Sequence, residues 1–136
     1  MSVTLIIWFC VISLLPMTWA EDHEELQTII NAYFEAKKSK NYDMIWNLLA
    51  PSSVIKRFYT YEGYLAMMNS DPVRLVSYEI QFNPAISDNQ DRKNLPNVEK
   101  IASVVVKERL EKESGQIVDR IDVIIFVLEN SRWYKS

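Results

Sequence analysis

The stretch Lys100–Leu128, "KIASVVVKERLEKESGQIVDRIDVIIFVL", decides the fold class. Two apolar, β-branched runs flank a Ser114-Gly115 step, the pattern of two antiparallel strands joined by a tight turn. If Ser114-Gly115 is a two-residue turn, Glu113 lies opposite Gln116 and the rest of the pairing follows. Val104 then faces Ile125, Val106 faces Val123 and Ala102 faces Val127, all on one side. Lys107 falls opposite Asp122 on the other, a favourable cross-strand pair. An odd-length loop would set apolar residues against polar ones along the hairpin, so the even register is expected. Past Ile121 the second strand is apolar on both faces, as suits a strand covered on both sides.

On the N-terminal side of this hairpin, "LVSYEIQF" alternates, with Val76, Tyr78, Ile80 and Phe82 on one face, and reads as a strand. "NPAISDNQDRKNLPN" between them reads as a polar loop. Further upstream the period becomes helical. Leu26, Ile29, Ile30, Tyr33 and Phe34 form one apolar stripe, opened by Asp22 and Glu25 at capping-box spacing. "YDMIWNLLAP" is a short second helix stopped by Pro51. "SSVIKRF" and "TYEGYLAMMNSDP" add further helical pieces, the last capped by Thr60. After the hairpin, Asn130-Ser131 turns the chain into a short strand, "WYKS". Helices first and an antiparallel sheet second make an α+β arrangement.

The first charged residue is Glu21, and everything before it is apolar or neutral. "SVTLIIWFCVISLLPMTWA" ends on Thr18-Trp19-Ala20, with small residues where a signal peptidase requires them, and Pro16 would end the apolar helix just ahead. Residues 1–20 are therefore expected to be a signal peptide, with an uncleaved membrane anchor as the alternative. Both put residues 21–136, a single domain, outside the cytoplasm, secreted or periplasmic. Cys10 is the only cysteine, so that domain has no thiol chemistry. Two glycines in the chain exclude a Gly-rich phosphate loop, and a net charge of −3 without a basic cluster argues against nucleic acid.

The helix "EELQTIINAYFEAKKSKNYDMIWNLLAP" with its Asn41–Asp43 step, the strand "VSYEIQF", the two long strands and the closing "ENSRWYKS" resemble the nuclear transport factor 2-like (cystatin-like) superfamily. "NSRW" is similar to that family's final hairpin turn. The resemblance spans nearly all of residues 21–136 and rests on packing motifs. It implies N-terminal helices packed on a strongly curved antiparallel sheet, enclosing a cone. Members include steroid isomerases, dehydratases, polyketide cyclases, transport factors and secreted binding domains, so the fold does not select a function.

With the even register, Glu108 and Asp119 interrupt the apolar face of the hairpin as diagonal neighbours. Two carboxylates facing an apolar cavity repel, and could share a proton as an acid/base pair. At the open end of a hairpin that outruns the core they would instead be solvated and inert. Tyr33, Trp46, Tyr78, Val106, Val123 and Tyr134 join Glu108 and Asp119 as expected cavity lining. A cavity tyrosine could donate to an enolate, as the isomerase resemblance implies, or be a packed ring. The dehydratase branch needs cavity histidines, and His23, the only histidine, falls at the helix start. Cleavage after Ala20 would leave Glu21-Asp22-His23, whose amine, amides and imidazole suit a square-planar Cu(II) or Ni(II) site. Asp22, wanted as a helix cap, competes with that geometry.

The expectation is a small extracytoplasmic binding or interaction domain without evident catalytic machinery and without a cofactor. Its partner would be an apolar small molecule in the cone or a protein on the sheet, including a second copy. The alternatives are an isomerase- or dehydratase-type enzyme using Glu108 or Asp119 with a tyrosine, and a membrane-tethered accessory subunit.

Overall fold

The computed structural model describes residues 19–136. The apolar leader, on which the export reading rests, lies outside the described residues as far as Thr18. Four helices come first: α1 (Trp19–Lys38), α2 (Tyr42–Leu48), α3 (Val54–Phe58) and α4 (Tyr61–Asn69). Five strands follow: β1 (Arg74–Ile80), β2 (Ala85–Asp88), β3 (Val98–Glu111), β4 (Ile117–Glu129) and β5 (Arg132–Lys135). All pair antiparallel in the order β1-β3-β4-β5, with β2 alongside the start of β3.

Thr60 caps α4 as expected, and Asn41 and Ser53 cap α2 and α3, two caps the sequence reading does not single out. Asn41, Ser53 and Thr60 accept from the backbone N–H groups of Met44, Lys56 and Gly63. The expected cap at Asp22 is not one. α1 already runs from Trp19, and the Asp22 side chain is buried in an ion pair with Lys100 of β3. The Lys100 ammonium compensates the buried Asp22 carboxylate, as a charge taken out of water requires.

The long hairpin carries the main correction. Val104 pairs with Ile124, Val106 with Asp122 and Ala102 with Phe126, one residue away from the even register. Glu113-Ser114-Gly115 form a three-residue loop. Gly115 sits at φ +84° in the left-handed region, and Lys112 and Gly115 close the turn by backbone hydrogen bonds. A type I turn followed by a left-handed glycine is the standard three-residue hairpin, and it competes with the two-residue turn for the same Ser-Gly step. Because side chains alternate, the one-residue slip turns all of β4 over. The expected Lys107–Asp122 pair is accordingly absent; Lys107 lies opposite Ile121.

A bulge between Leu75 and Ser77 makes a similar shift in β1. Leu75, Tyr78 and Ile80 face the core, while Phe82, expected on that face, is 70% exposed. The loop expected after β1 contains β2. Its remainder is closed by the buried Asn89, which donates to the carbonyls of Leu95 and Val98 and accepts from Asp91 N–H.

The main core lies between α1 and the inner sheet face: Leu26, Ile30 and Phe34 against Ala102, Val104, Val106, Phe126, Leu128 and Trp133. A second cluster, around Tyr42, Ile45 and Tyr64, joins α1, α2 and α4. A third, around Ala50, Val98 and Val127, lies on the outer side of the sheet. No helix among the described residues is long and apolar enough to cross a membrane.

Candidate functional site

Strict alternation along β3 aims Val104, Val106, Glu108 and Leu110 inward, and all four are buried. Glu108 is the exception in kind: a fully buried carboxylate on an apolar row. The slipped register explains how it is tolerated. It brings Arg120 of β4 directly opposite Glu108, and the Arg120 guanidinium donates to Glu108 Oε1 at 3.1 Å. Lys37, in the last turn of α1, donates to Oε2 at 2.6 Å. Both oxygens thus carry a charge-assisted hydrogen bond, the condition under which a buried charge is stable.

Around this triad stand Tyr33, Asp122 and Lys135. Burial, and then the charge of Glu108, pushes the Tyr33 hydroxyl far above the usual tyrosine range. Burial and the neighbouring Lys37 push the Lys135 ammonium down, against the pull of Asp122. Arg120 also lies 3.9 Å from Asp122. Tyr78 stacks on Phe34, ring centroids 4.8 Å apart, and its hydroxyl donates to Glu35 at 3.2 Å.

Beside Lys37 and Arg120 a cleft of about 200 Å³ opens at the end of α1. Its cations are Lys37, Lys40 and Arg120, its single carboxylate is Asp71, and Tyr42, Met68, Val73, Leu75 and Leu110 give it apolar walls. The cleft was legible only in part. Lys37 and Lys40 appear in the sequence as a helix C-terminus, where the dipole favours positive charge, and nothing local aims them at β3 or β4.

Of the expected lining, Tyr33, Tyr78, Val106 and Glu108 are on the inner side, against α1. Asp119 is not: it pairs with Arg109 on the outer face, accepting at 3.0 and 3.3 Å, with Lys107 4.0 Å away. The Arg109 hydrogen bond holds its carboxyl below the usual range. Val123 is 54% exposed on the same outer face, and Tyr134 packs there in the third cluster. Trp46 packs against Tyr61 and Tyr64, under the Lys56 ammonium, between the helices and away from the cone. The Glu108–Asp119 acid/base pair therefore does not form, because the loop places the two carboxylates on opposite faces of the sheet.

His23 lies within α1, one residue from the buried Asp22. Among the described residues no group of three or more His, Cys, Asp or Glu side chains could hold a metal ion.

No protein-family model and no curated protein matches the sequence. Among solved structures, the chain is similar to the crystal structure of an NTF2-like protein of unknown function from Prochlorococcus sp. NATL2A. The match has a TM-score of 0.54 and 17% sequence identity, and covers 88% of each chain. Likeness at that identity is one of architecture and leaves activity open. Helices seated in a strongly curled antiparallel sheet, in this strand order and over this span, give the chain a nuclear transport factor 2-like fold.

Proposed function

We propose that the domain binds a small, mainly apolar molecule carrying an acidic group, in the cleft beside Lys37 and Arg120. The observation that carries this reading is the lining: apolar walls with three cations against one carboxylate. Small-molecule sites commonly combine an apolar wall with a few convergent polar groups, and a cleft of this size suits a fragment-sized ligand. Glu108 holds Lys37 and Arg120 in place from behind, and its two oxygens are already engaged. That arrangement favours a positioning role for Glu108 over proton transfer. The site is proposed to work outside the cytoplasm, a reading supported by the uncharged apolar leader and the lack of cysteine in residues 21–136.

The test titrates straight-chain carboxylates, butyrate to decanoate, and the matching alcohols into isotope-labelled protein. Carboxylates are expected to shift the amides of Lys40, Leu75, Leu110 and Arg120, and to bind at least about tenfold more tightly than the alcohols, roughly one charge-assisted hydrogen bond. Lys37→Met should remove that preference, and Asp119→Asn, on the outer face, should leave it intact. Equal binding of acids and alcohols, or shifts elsewhere, would overturn the reading. A native mass spectrum of the host-made protein tests the location: a chain starting at Glu21 is expected, and one starting at Met1 refutes cleavage.

A further inference from the structure

We propose that the free edge of β4 pairs with β4 of a second copy of this chain, antiparallel about a twofold axis through Ile121. β5 covers β4 only over Phe126–Glu129. Among the described residues, the edge from Ile117 to Ile124 has no strand beside it. Such an edge presents a row of N–H and C=O groups, and proteins usually protect it with lysine or other charges, proline or a bulge. The charges here, Asp119, Arg120 and Asp122, are of both signs, and Arg120 and Asp122 can complement a second copy. Ile117–Ile125, "IVDRIDVII", contains no lysine and no proline, and its pairing with β3 shows no bulge.

The geometry also selects the register. Ser136 donates its N–H to the Ile125 carbonyl, so Ile125 directs its polar backbone groups toward the β5 side. Alternation points the same groups of Ile117, Asp119, Ile121 and Val123 toward the open edge. One of these groups, Val123 N–H, donates to the neighbouring Asp122 carboxylate at 2.9 Å in the single chain, and the ladder exchanges that bond for one to the second copy. Two such edges join antiparallel only with residues of the same direction opposite one another, so a twofold axis passes through a residue and its own copy.

An axis at Arg120 sets arginine against arginine, and one at Asp119 or Asp122 sets aspartate against aspartate. An axis at Val123 drives Arg120 onto Phe126, which β5 already covers. An axis at Ile117 or Val118 runs the ladder into the Glu113–Gly115 loop, and one at Ile124 sets Asp122 against the covered Phe126, so Ile121 remains. There Ile121 meets itself, Arg120 meets Asp122 twice and Val118 meets Ile124, leaving Asp119 against Val123 as the one mixed pair. The ladder stops short of Ile125, whose carbonyl already accepts from Ser136 N–H. Opposite charges and apolar pairs directly across a ladder stabilise it. The same pairing shields Ile117, Ile121 and Val123, which are 48%, 68% and 54% exposed in the single chain. This self-complementarity also explains why β4 tolerates the slipped hairpin register that puts Ile121 and Val123 on the outer face.

The proposal does not rest on the reading of the cleft, although Arg120 belongs to both. Its test uses the chain as isolated, with Cys10→Ser removing the native thiol. Ile121→Cys places two thiols on the axis, where Cα atoms of a hydrogen-bonded antiparallel pair lie about 5.5 Å apart, within disulfide reach. Asp119→Cys places them four residues out of step, about 14 Å along the strand. Mild oxidation should convert most of the Ile121→Cys protein to a covalent dimer and little of the Asp119→Cys protein. Wild type should sediment as a dimer. Wild type sedimenting as a monomer, or equal cross-linking of the two variants, overturns the proposal. An intramolecular Cys10 disulfide, formed by Ile121→Cys when Cys10 is kept, would put the leader on this edge and overturn it as well.

Discussion

Replacing Glu108 separates two views of the buried triad. Glu108 is fully buried, while the side chains of Lys37 and Arg120 are 25% and 51% exposed. Glu108→Gln keeps a polar group in the same place but turns an amide N–H₂ toward one of the two cations. One charge-assisted bond is lost and a buried donor has no acceptor, a cost of about 2–3 kcal/mol. Glu108→Leu loses both ion pairs but leaves no polar atom behind. Arg120, half in water, then forfeits only about the 0–1 kcal/mol of a surface pair. Lys37 forfeits more, because less of it is exposed. Against these losses, burying a leucine contributes about 1.5–3 kcal/mol, and the desolvation penalty of the carboxylate disappears. The net change for leucine is near zero, so Gln should be the less stable by about 2 kcal/mol. Urea unfolding at neutral pH, with unchanged slopes, should show midpoints on the order of 1 M apart. A leucine variant less stable than the glutamine variant would mean that the ion pairs outweigh their desolvation, and the reasoning would be wrong.

Two further outcomes follow from the same geometry. Burial raises the Tyr33 hydroxyl far above its ordinary value and pushes Tyr64 up to about 12. Both groups stay neutral in the folded chain after the unfolded chain has begun to ionise near pH 10. Their stabilising contribution is complete below pH 10 and is lost as pH rises toward the folded values, at up to about 1.4 kcal/mol per pH unit per tyrosine. Tyrosinate absorbance should show two of the seven tyrosines ionising only with unfolding, and Tyr33→Phe should reduce the alkaline slope; all seven titrating together in folded protein would refute this. Gly115 has open space around it, so Gly115→Ala tests backbone conformation alone. At φ +84° the change should cost about 1 kcal/mol, with asparagine costing less. A neutral alanine substitution would argue against the three-residue loop.

Local signals carried the elements a long way. The helical stripe Leu26–Phe34, the cap at Thr60 and the long paired strands all depend on neighbours within a few residues, and each is where the pattern places it. The buried Glu108 was also legible, as a charge on the inward row of β3. Its partners were not. Lys37 is separated from it by 71 residues, and the even register puts Arg120 on the opposite face.

By itself the sequence determined the class of the protein, because helix and strand periods are written in nearest-neighbour patterning. It also determined that the inward row of β3 carries a carboxylate. Only the tertiary structure decided what that carboxylate meets. A two-residue and a three-residue turn at Ser114-Gly115 differ little in local preference, yet the choice inverts every side chain of β4. That inversion places Asp119 and Val123 outside and Arg120 inside, and the burial of Glu108 between Lys37 and Arg120 is what the inverted register makes affordable.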